Sequence, residues 1–386
     1  MIKYLKYYIS PFTILAAFFV MIQGRYFPTY FLLGLSSFII LGDYLIKEDG
    51  SEKKYNFPFL LNLPMYLNLP LLAAFIFFAV FSMSNSSPFL FTSITNSDIY
   101  VKLDSVRQSY TLIDMFSIVF LSGLIIGISG TVPGHELVHR IKSKLDMFFG
   151  NWLLAFSWDC TFAVEHVYGH HKNVATLIDP ATGKRGENIY KFILKAMYAE
   201  HRDAWIIEVN RLNLNKKSPF SIKNRMLIGY LRSLMITLCG YFIGGLTGVL
   251  SFLLIAFVAK SLLELINFTE HYGLVRVPGS PVQPRHSWNS NTILSSIYLF
   301  NVTRHSSHHE KPHLKYWELK TYKDSPKMPQ GYLTMIYIGF FAPFLFHRMM
   351  AKKLIEWDQV YANKDELELA KKQNIKSGLP LLVNSL

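Results

Sequence analysis

Long uninterrupted apolar runs restrict the fold of this chain more than any other feature. Six of them, at about residues 7–23, 27–46, 64–84, 113–133, 226–245 and 247–267, have the length that a lipid bilayer selects. A helix crossing the hydrocarbon core needs roughly 20 apolar residues. In lipid every backbone N–H and C=O must be bonded internally, so runs of this kind predict helices. The first run follows Lys3 and Lys6 as in a signal peptide, but no small-residue cleavage site is evident. A second run follows at once across Gly24-Arg25, which predicts an uncleaved helical hairpin. Only Gly244-Gly245-Leu246-Thr247-Gly248 separates the fifth run from the sixth, a tight turn without charges. Two shorter runs, near 150–163 and 332–346, are too short to span and fit the membrane interface.

Charge sets the expected orientation. The chain is 51% hydrophobic yet carries a net charge of +13. Residues 134–225 and 267–386 hold 29 basic and 18 acidic residues, so +11 of that charge lies in two polar segments. By the positive-inside tendency both face the cytoplasm. The link 47–63, with Lys47, Lys53 and Lys54, fits the same side, and an even helix count places both termini there. The expected organisation is one integral-membrane domain over residues 1–386, with polar segments 134–225 and 268–386. The tail beyond Lys352, with Asp365-Glu366-Leu367-Glu368, reads as a surface helix and a frayed end. Aromatic content excludes disorder, and two cysteines, Cys160 and Cys239, exclude a disulfide scaffold or a four-cysteine metal site.

The polar segments are rich in histidine. Nine of thirteen histidines fall into four groups that follow the fourth or sixth apolar run. The first is His135-Glu136-Leu137-Val138-His139. Spacing i, i+4 puts two imidazoles on one helical face, about 40° apart, suited to one metal. Alone, this string fits a zinc protease with Glu136 as base, another metal, or a helix whose histidines bond locally. The second group is Glu165-His166-Val167-Tyr168-Gly169-His170-His171, and another is Arg304-His305-Ser306-Ser307-His308-His309. The remaining one, Asn267-Phe268-Thr269-Glu270-His271-Tyr272-Gly273, closes the sixth run. There Glu264, Asn267 and His271 form one polar stripe on an apolar helix. Ionisable groups in a span usually face a protein interior or a functional cavity, although a stripe that only fixes helix packing is the plainer alternative.

Counting ligands narrows the chemistry. His135, His139, His166, His170, His171, His271, His305, His308 and His309 are nine imidazoles. One zinc uses at most four ligands in a structural site, whereas nine suit two metals with open positions, and imidazole is compatible with iron. No cysteine stands among them, which argues against iron–sulfur and blue-copper sites. His201, His286, His313 and His347 lack cluster spacing and read as supporting or surface residues.

These strings resemble the membrane-bound non-haem di-iron alkane 1-monooxygenases, or alkane hydroxylases, relatives of the membrane fatty-acid desaturases. The likeness includes the extension Lys172-Asn173-Val174-Ala175-Thr176-Leu177-Ile178-Asp179-Pro180-Ala181 and the run Pro281-Val282-Gln283-Pro284-Arg285-His286-Ser287-Trp288-Asn289-Ser290. It also includes Pro326-Lys327-Met328-Pro329-Gln330-Gly331-Tyr332, and it extends from about Ile40 to Arg348. The Asn267-to-Gly273 string distinguishes such hydroxylases from desaturases. The resemblance implies an all-α polytopic membrane protein, here with six transmembrane helices and a cytoplasmic histidine-rich di-iron cap. The nine histidines match the family's ligands of two non-haem iron ions. Glu136, Glu165, Asp179, Glu264, Asn267, Glu270 and Glu310 are candidates to orient them. Arg140 and Ser307 depart from the lysine and acidic residue more usual there, which bears on tuning rather than metal content.

The activity so implied converts the terminal methyl of an n-alkane, with O2 and two electrons, to a 1-alkanol and water. Electrons are expected from rubredoxin, fed by a rubredoxin reductase, and no nucleic-acid partner is expected. The expected location is a bacterial inner membrane, with the iron site cytoplasmic. A sister oxygenase of aromatic methyl groups or fatty-acid chains, a desaturase, a membrane zinc protease and a non-catalytic metal-binding protein are the competing readings.

Overall fold

The computed structural model describes residues 2–46, 48–85 and 97–385. Among these the regular structure is helical, with two isolated β-bridges, Glu48 to Thr292 and Asn289 to Lys327. In chain order the helices are α1 (Lys3–Met21), α2 (Phe27–Leu45), α3 (Phe59–Met83), α4 (Asp98–Ser109) and α5 (Leu112–Val138). There follow α6 (Lys144–Ala155), α7 (162–173), α8 (Ile189–Leu214) and α9 (Arg225–His271). Later come α10 (His305–Glu310), α11 (Tyr332–Phe341), α12 (Pro343–Val360) and α13 (Lys364–Lys376), with the short helices Ile293–Tyr298 before α10 and Pro380–Val383 after α13.

Among the described residues five helices, α1, α2, α3, α5 and α9, are long and apolar enough to cross a membrane, by length and composition. The expected fifth and sixth runs are two helical segments, numbered together as α9, that meet where the backbone leaves helical geometry at Gly244 and Gly245. Gly245 has φ +58°, a conformation that glycine adopts without steric cost. A Cβ on Gly248 would lie 2.2 Å from the carbonyl oxygen of Gly240. In a straight helix residues eight apart are about 12 Å apart, so the element reverses here. The short apolar runs end as α6 and α11, of 12 and 10 residues.

Residues 1–38, 56–160 and 227–262 form one compact unit, and residues 39–55, 161–226 and 263–386 form another. In the first, α5 runs through Val138, beyond the boundary near residue 133 expected from hydropathy. His135 therefore stands inside the helix rather than after it. Continuation requires a repair, because Pro133 has no N–H for the carbonyl of Ser129 four residues earlier. Asn68 of α3 supplies the donor, its Nδ2 lying 2.8 Å from that carbonyl, and a π-helical turn over Ile126–Thr131 absorbs the misfit. Close packing on α6 then holds the end of α5. A Cβ on Gly134 would lie 3.2 Å from the Gly150 carbonyl, and one on Gly150 would lie 3.1 Å from that of Gly134. In the same unit Lys260 Nζ and Asp159 Oδ2 form a buried ion pair at 3.0 Å.

In the second unit the buried Asp43 joins α2 to later segments, accepting from Ser295 Oγ at 2.6 Å and Thr334 Oγ1 at 2.9 Å. Arg185 anchors the C-terminal helices through a paired contact with Asp358, at 2.7 Å to each oxygen, and one to Asn374 at 2.6 Å. The tail expected as a surface helix with a frayed end is helical but packed: Glu366, Ala370, Asn374 and Leu382 are all buried. An apolar-and-polar stripe of this kind closes against its own unit and not against water.

Candidate metal centre

Local helix geometry sorts the histidines. Residues 166–170 form a π-helical turn, which places residues five apart on one face. His171 Nε2 accordingly lies 3.2 Å from His166 Nε2, while His170 points elsewhere. On α10, His305 and His309 are one turn apart with their Nε2 atoms at 3.0 Å, and His308 lies off that face. Two groups result within the second unit. His166, His171 and His308 converge, as do His170, His271, His305 and His309, with ligand atoms in each group within 4.8 Å of one another. In the first unit, His135 and His139 bring their Nε2 atoms to 3.2 Å, as their spacing predicts.

The four-histidine group is buried, and the surroundings set the tautomers of three of its rings. His170 Nδ1–H donates to both oxygens of Asp179, at 3.0 and 3.1 Å. His271 Nδ1–H donates to the His286 carbonyl at 3.1 Å, and His305 Nδ1–H to the Val302 carbonyl at 3.3 Å. Each of these rings therefore presents a lone pair at Nε2. Those lone pairs face one another: His271 Nε2 and His305 Nε2 are 3.0 Å apart, and His170 Nε2 has no hydrogen-bond partner in its buried position. Two acceptor nitrogens so close repel unless a cation lies between them. Nitrogens at right angles about 2.1 Å from one ion stand about 3 Å apart, so the set fits a transition metal.

Charge agrees with that fit. Burial, with His171, His305, His271 and His170 around it, holds His309 well below the ordinary histidine value, so it is the neutral ligand form. Glu270 brings Oε2 to 3.2 Å from His305 Nε2, while its buried Oε1 has no hydrogen-bond partner. Burial pushes the Asp179 carboxyl up, but His170 and Thr182 outweigh it and hold it below the usual carboxylate range.

The other candidate acids divide. Glu136 is held by Arg140 at 2.6 Å, and Arg140 also reaches Asn62 and Asp146. A Cβ on Gly169 would meet Glu165 Oε1 at 2.6 Å, so that carboxylate lies against the π turn. Asn267 Nδ2 lies 3.2 Å from Glu264 and 3.4 Å from Glu200, joining two buried carboxylates. Glu310 pairs with Tyr322 and Lys311 at the surface.

Glu200 and Glu366 were not legible as participants in the sequence, and His286 only as one of four histidines read as supporting or surface residues. Glu200 lies mid-helix on α8 without a motif. His286 stands in the Pro281-to-Ser290 run but has no cluster spacing, and Glu366 belongs to the stretch expected at the surface. His286 is fully buried and bonded to Glu366 at 2.8 Å. Burial raises the Glu366 carboxyl, but His286 and Arg285 outweigh it and hold it down at about 2. Beside the Asp179 segment lies a cavity of about 510 Å³ whose lining includes Thr182, Lys184, Lys372 and Lys376.

Fold and site together define a helical membrane protein carrying buried histidine clusters that could hold metal. Residues 115–339 match the family model described as fatty acid desaturase. Alkane 1-monooxygenase 1 of Pseudomonas aeruginosa is 36% identical over 257 residues, 65% of this chain and 66% of that protein. Alkane 1-monooxygenase 1 of Alcanivorax borkumensis is 36% identical over 245 residues, covering 61% and 59%. The hydroxylase component of xylene/toluene monooxygenase from Pseudomonas putida is 30% identical over 387 residues, covering 99% of this chain and 97% of that one. The chain belongs to the fatty acid desaturase family of membrane proteins, within its monooxygenase relatives. The aligned stretch spans no more than about two thirds of the two alkane relatives.

Proposed function

We propose that this chain is an integral-membrane di-iron monooxygenase that hydroxylates the terminal methyl group of n-alkanes. Alkane, dioxygen, two electrons and two protons give a primary alcohol and water. The observation that carries this reading is the buried set His170, His271, His305 and His309, with the Nε2 atoms of His271 and His309 each 3.0 Å from that of His305. All nine clustered histidines are the ligands that the family resemblance assigns to two irons. Iron held there would supply the redox chemistry for an unactivated C–H bond, which no side-chain acid or base can break.

The chain's own residues prepare that site. Asp179 and the His286 and Val302 carbonyls keep protons on the outer nitrogens and leave the inner ones to bind. Glu270 is the acid placed to take or release a proton beside His305 Nε2. Burial of the four imidazoles excludes water from the reacting centre. The apolar spans admit substrate from lipid. The spans number six when α9 is counted on both sides of its turn, with both termini and the iron site on the cytoplasmic face of a bacterial inner membrane. Rubredoxin is the electron donor, and the lysine-rimmed cavity supports an acidic carrier of that kind.

A second reading, hydroxylation of aromatic methyl groups, is favoured by the nearly end-to-end match to the xylene/toluene enzyme component. One experiment separates these. Purified protein is assayed for metal, then supplied with a rubredoxin system and octane, hexadecane, toluene or xylene. About two irons per chain and 1-alkanols support the first reading, and benzylic alcohols alone support the second. A single zinc, or no alcohol from any substrate, refutes both.

A further inference from the structure

Helix α13 lies outside every histidine string and beyond residue 339, where the family match ends. Its Glu366 is nevertheless fully buried. Oε1 accepts from His286 Nε2–H at 2.8 Å, and the carboxylate accepts from Arg285 Nε and Nη2 at 2.8 and 3.0 Å. The proton position on His286 is determined, because its Nδ1 accepts the Gln283 N–H at 3.0 Å. The backbone carbonyl of this same His286 accepts Nδ1–H of His271 at 3.1 Å. Carboxylate, imidazole and carbonyl thus form an unbroken path from the C-terminal helix to one of the four clustered imidazoles.

The segment carrying His286 behaves as a strap. Trp357 Nε1 donates to the Arg285 carbonyl at 2.7 Å. Trp288 donates its backbone N–H to the Glu270 carbonyl and its Nε1–H to the Tyr272 carbonyl, each at 2.9 Å. Ser306 N–H donates to Asn289 Oδ1 at 2.9 Å. The strap therefore holds both chain neighbours of His271 and the residue after His305.

We propose that Glu366 is a positioning residue for His271, acting through His286. This rests on the reading of His271 as a metal ligand. A ligating imidazole is oriented by the acceptor of its second N–H. Here that acceptor is a carbonyl in a three-residue turn, Pro284–His286, whose place depends on the anchor of its own side chain. The plainer role for Glu366, fastening α13 through Arg285, predicts a different pattern of variants.

The full-length protein is purified as wild type, E366A, E366Q, H286A, R285A and the E366A/H286A double variant. Iron release to a chelator and the Mössbauer spectrum are read, with thermal unfolding as a folding control. E366A and H286A should each release iron about tenfold faster and change the quadrupole splitting. The double variant should be no faster than either single one, because both break one path. E366Q, whose amide oxygen still accepts from His286, and R285A should stay near wild type. Wild-type release and spectra in E366A and H286A would overturn the proposal, as would R285A reproducing their effect. If E366A fails to accumulate, H286A against R285A makes the same comparison. Full iron content and an unchanged spectrum in H271A would instead refute the ligand reading beneath it.

Discussion

Replacing Asp179 with alanine tests how the metal centre is held. The carboxylate is buried and accepts His170 Nδ1–H at 3.0 Å, a backbone N–H from Ala181 at 3.3 Å, and the Thr182 hydroxyl. It thereby sets both the tautomer and the ring plane of His170, whose Nε2 is the nitrogen left for metal. Loss of a hydrogen bond to a charged group costs about 1.5–3 kcal/mol. At about 1.4 kcal/mol per factor of ten, iron affinity should fall about tenfold to a hundredfold, in line with other supporting partners of metal-bound histidine. Asp179→Asn, which keeps one oxygen for His170, should fall between wild type and Asp179→Ala. The assay is a competitive chelator titration of the purified full-length protein, read with thermal unfolding to separate metal loss from misfolding. Iron affinity and an iron spectrum identical to wild type in a folded Asp179→Ala protein would refute the reasoning.

Other expectations follow from the same geometry. His271→Ala should lower iron content and turnover while the protein still accumulates in membranes, because the residue closes α9, and full activity would show that it is not a ligand. Glu208 of α8 accepts from Arg211 and Arg225 at 2.6 and 2.7 Å; burial raises its carboxyl, but the two arginines hold it down at about 2. That depressed value stabilises the fold fully above the ordinary value of 4.5, and the stabilisation fades as pH falls toward 2. Acid unfolding of Glu208→Gln should lack this part of the slope, and identical curves would contradict it. Reversing Lys184, Lys372 and Lys376 to glutamate should raise KM for rubredoxin and flatten its salt dependence without changing iron content. An unchanged KM would place the donor's docking surface elsewhere.

Much of the site was legible because its signals are local. His135 and His139 meet as their i, i+4 spacing requires, whereas Asp179 was one of several candidate acids in sequence and only the structure shows which histidine it bonds. Other outcomes depended on backbone detail that spacing does not encode. In a regular α-helix His166 and His170 share a face, yet the π turn pairs His166 with His171 and sends His170 to the other group. Hydropathy ended the fourth run at Pro133, because nothing local reveals that Asn68, 61 residues earlier than Ser129, would satisfy the carbonyl left over.

Sequence by itself pointed to the bilayer as solvent and to imidazole clusters able to hold a metal. Apolar runs of spanning length demand helices in lipid, and nine clustered imidazoles without cysteine suit a nitrogen-ligated metal. Tertiary structure alone decided which imidazoles share a centre and what orients them. Glu366 reaches His286 across 80 residues, and Glu200 reaches Asn267 across 67. Contacts over such separations depend on how packed helices meet, and a buried carboxylate reads in sequence like an exposed one until its partner closes over it.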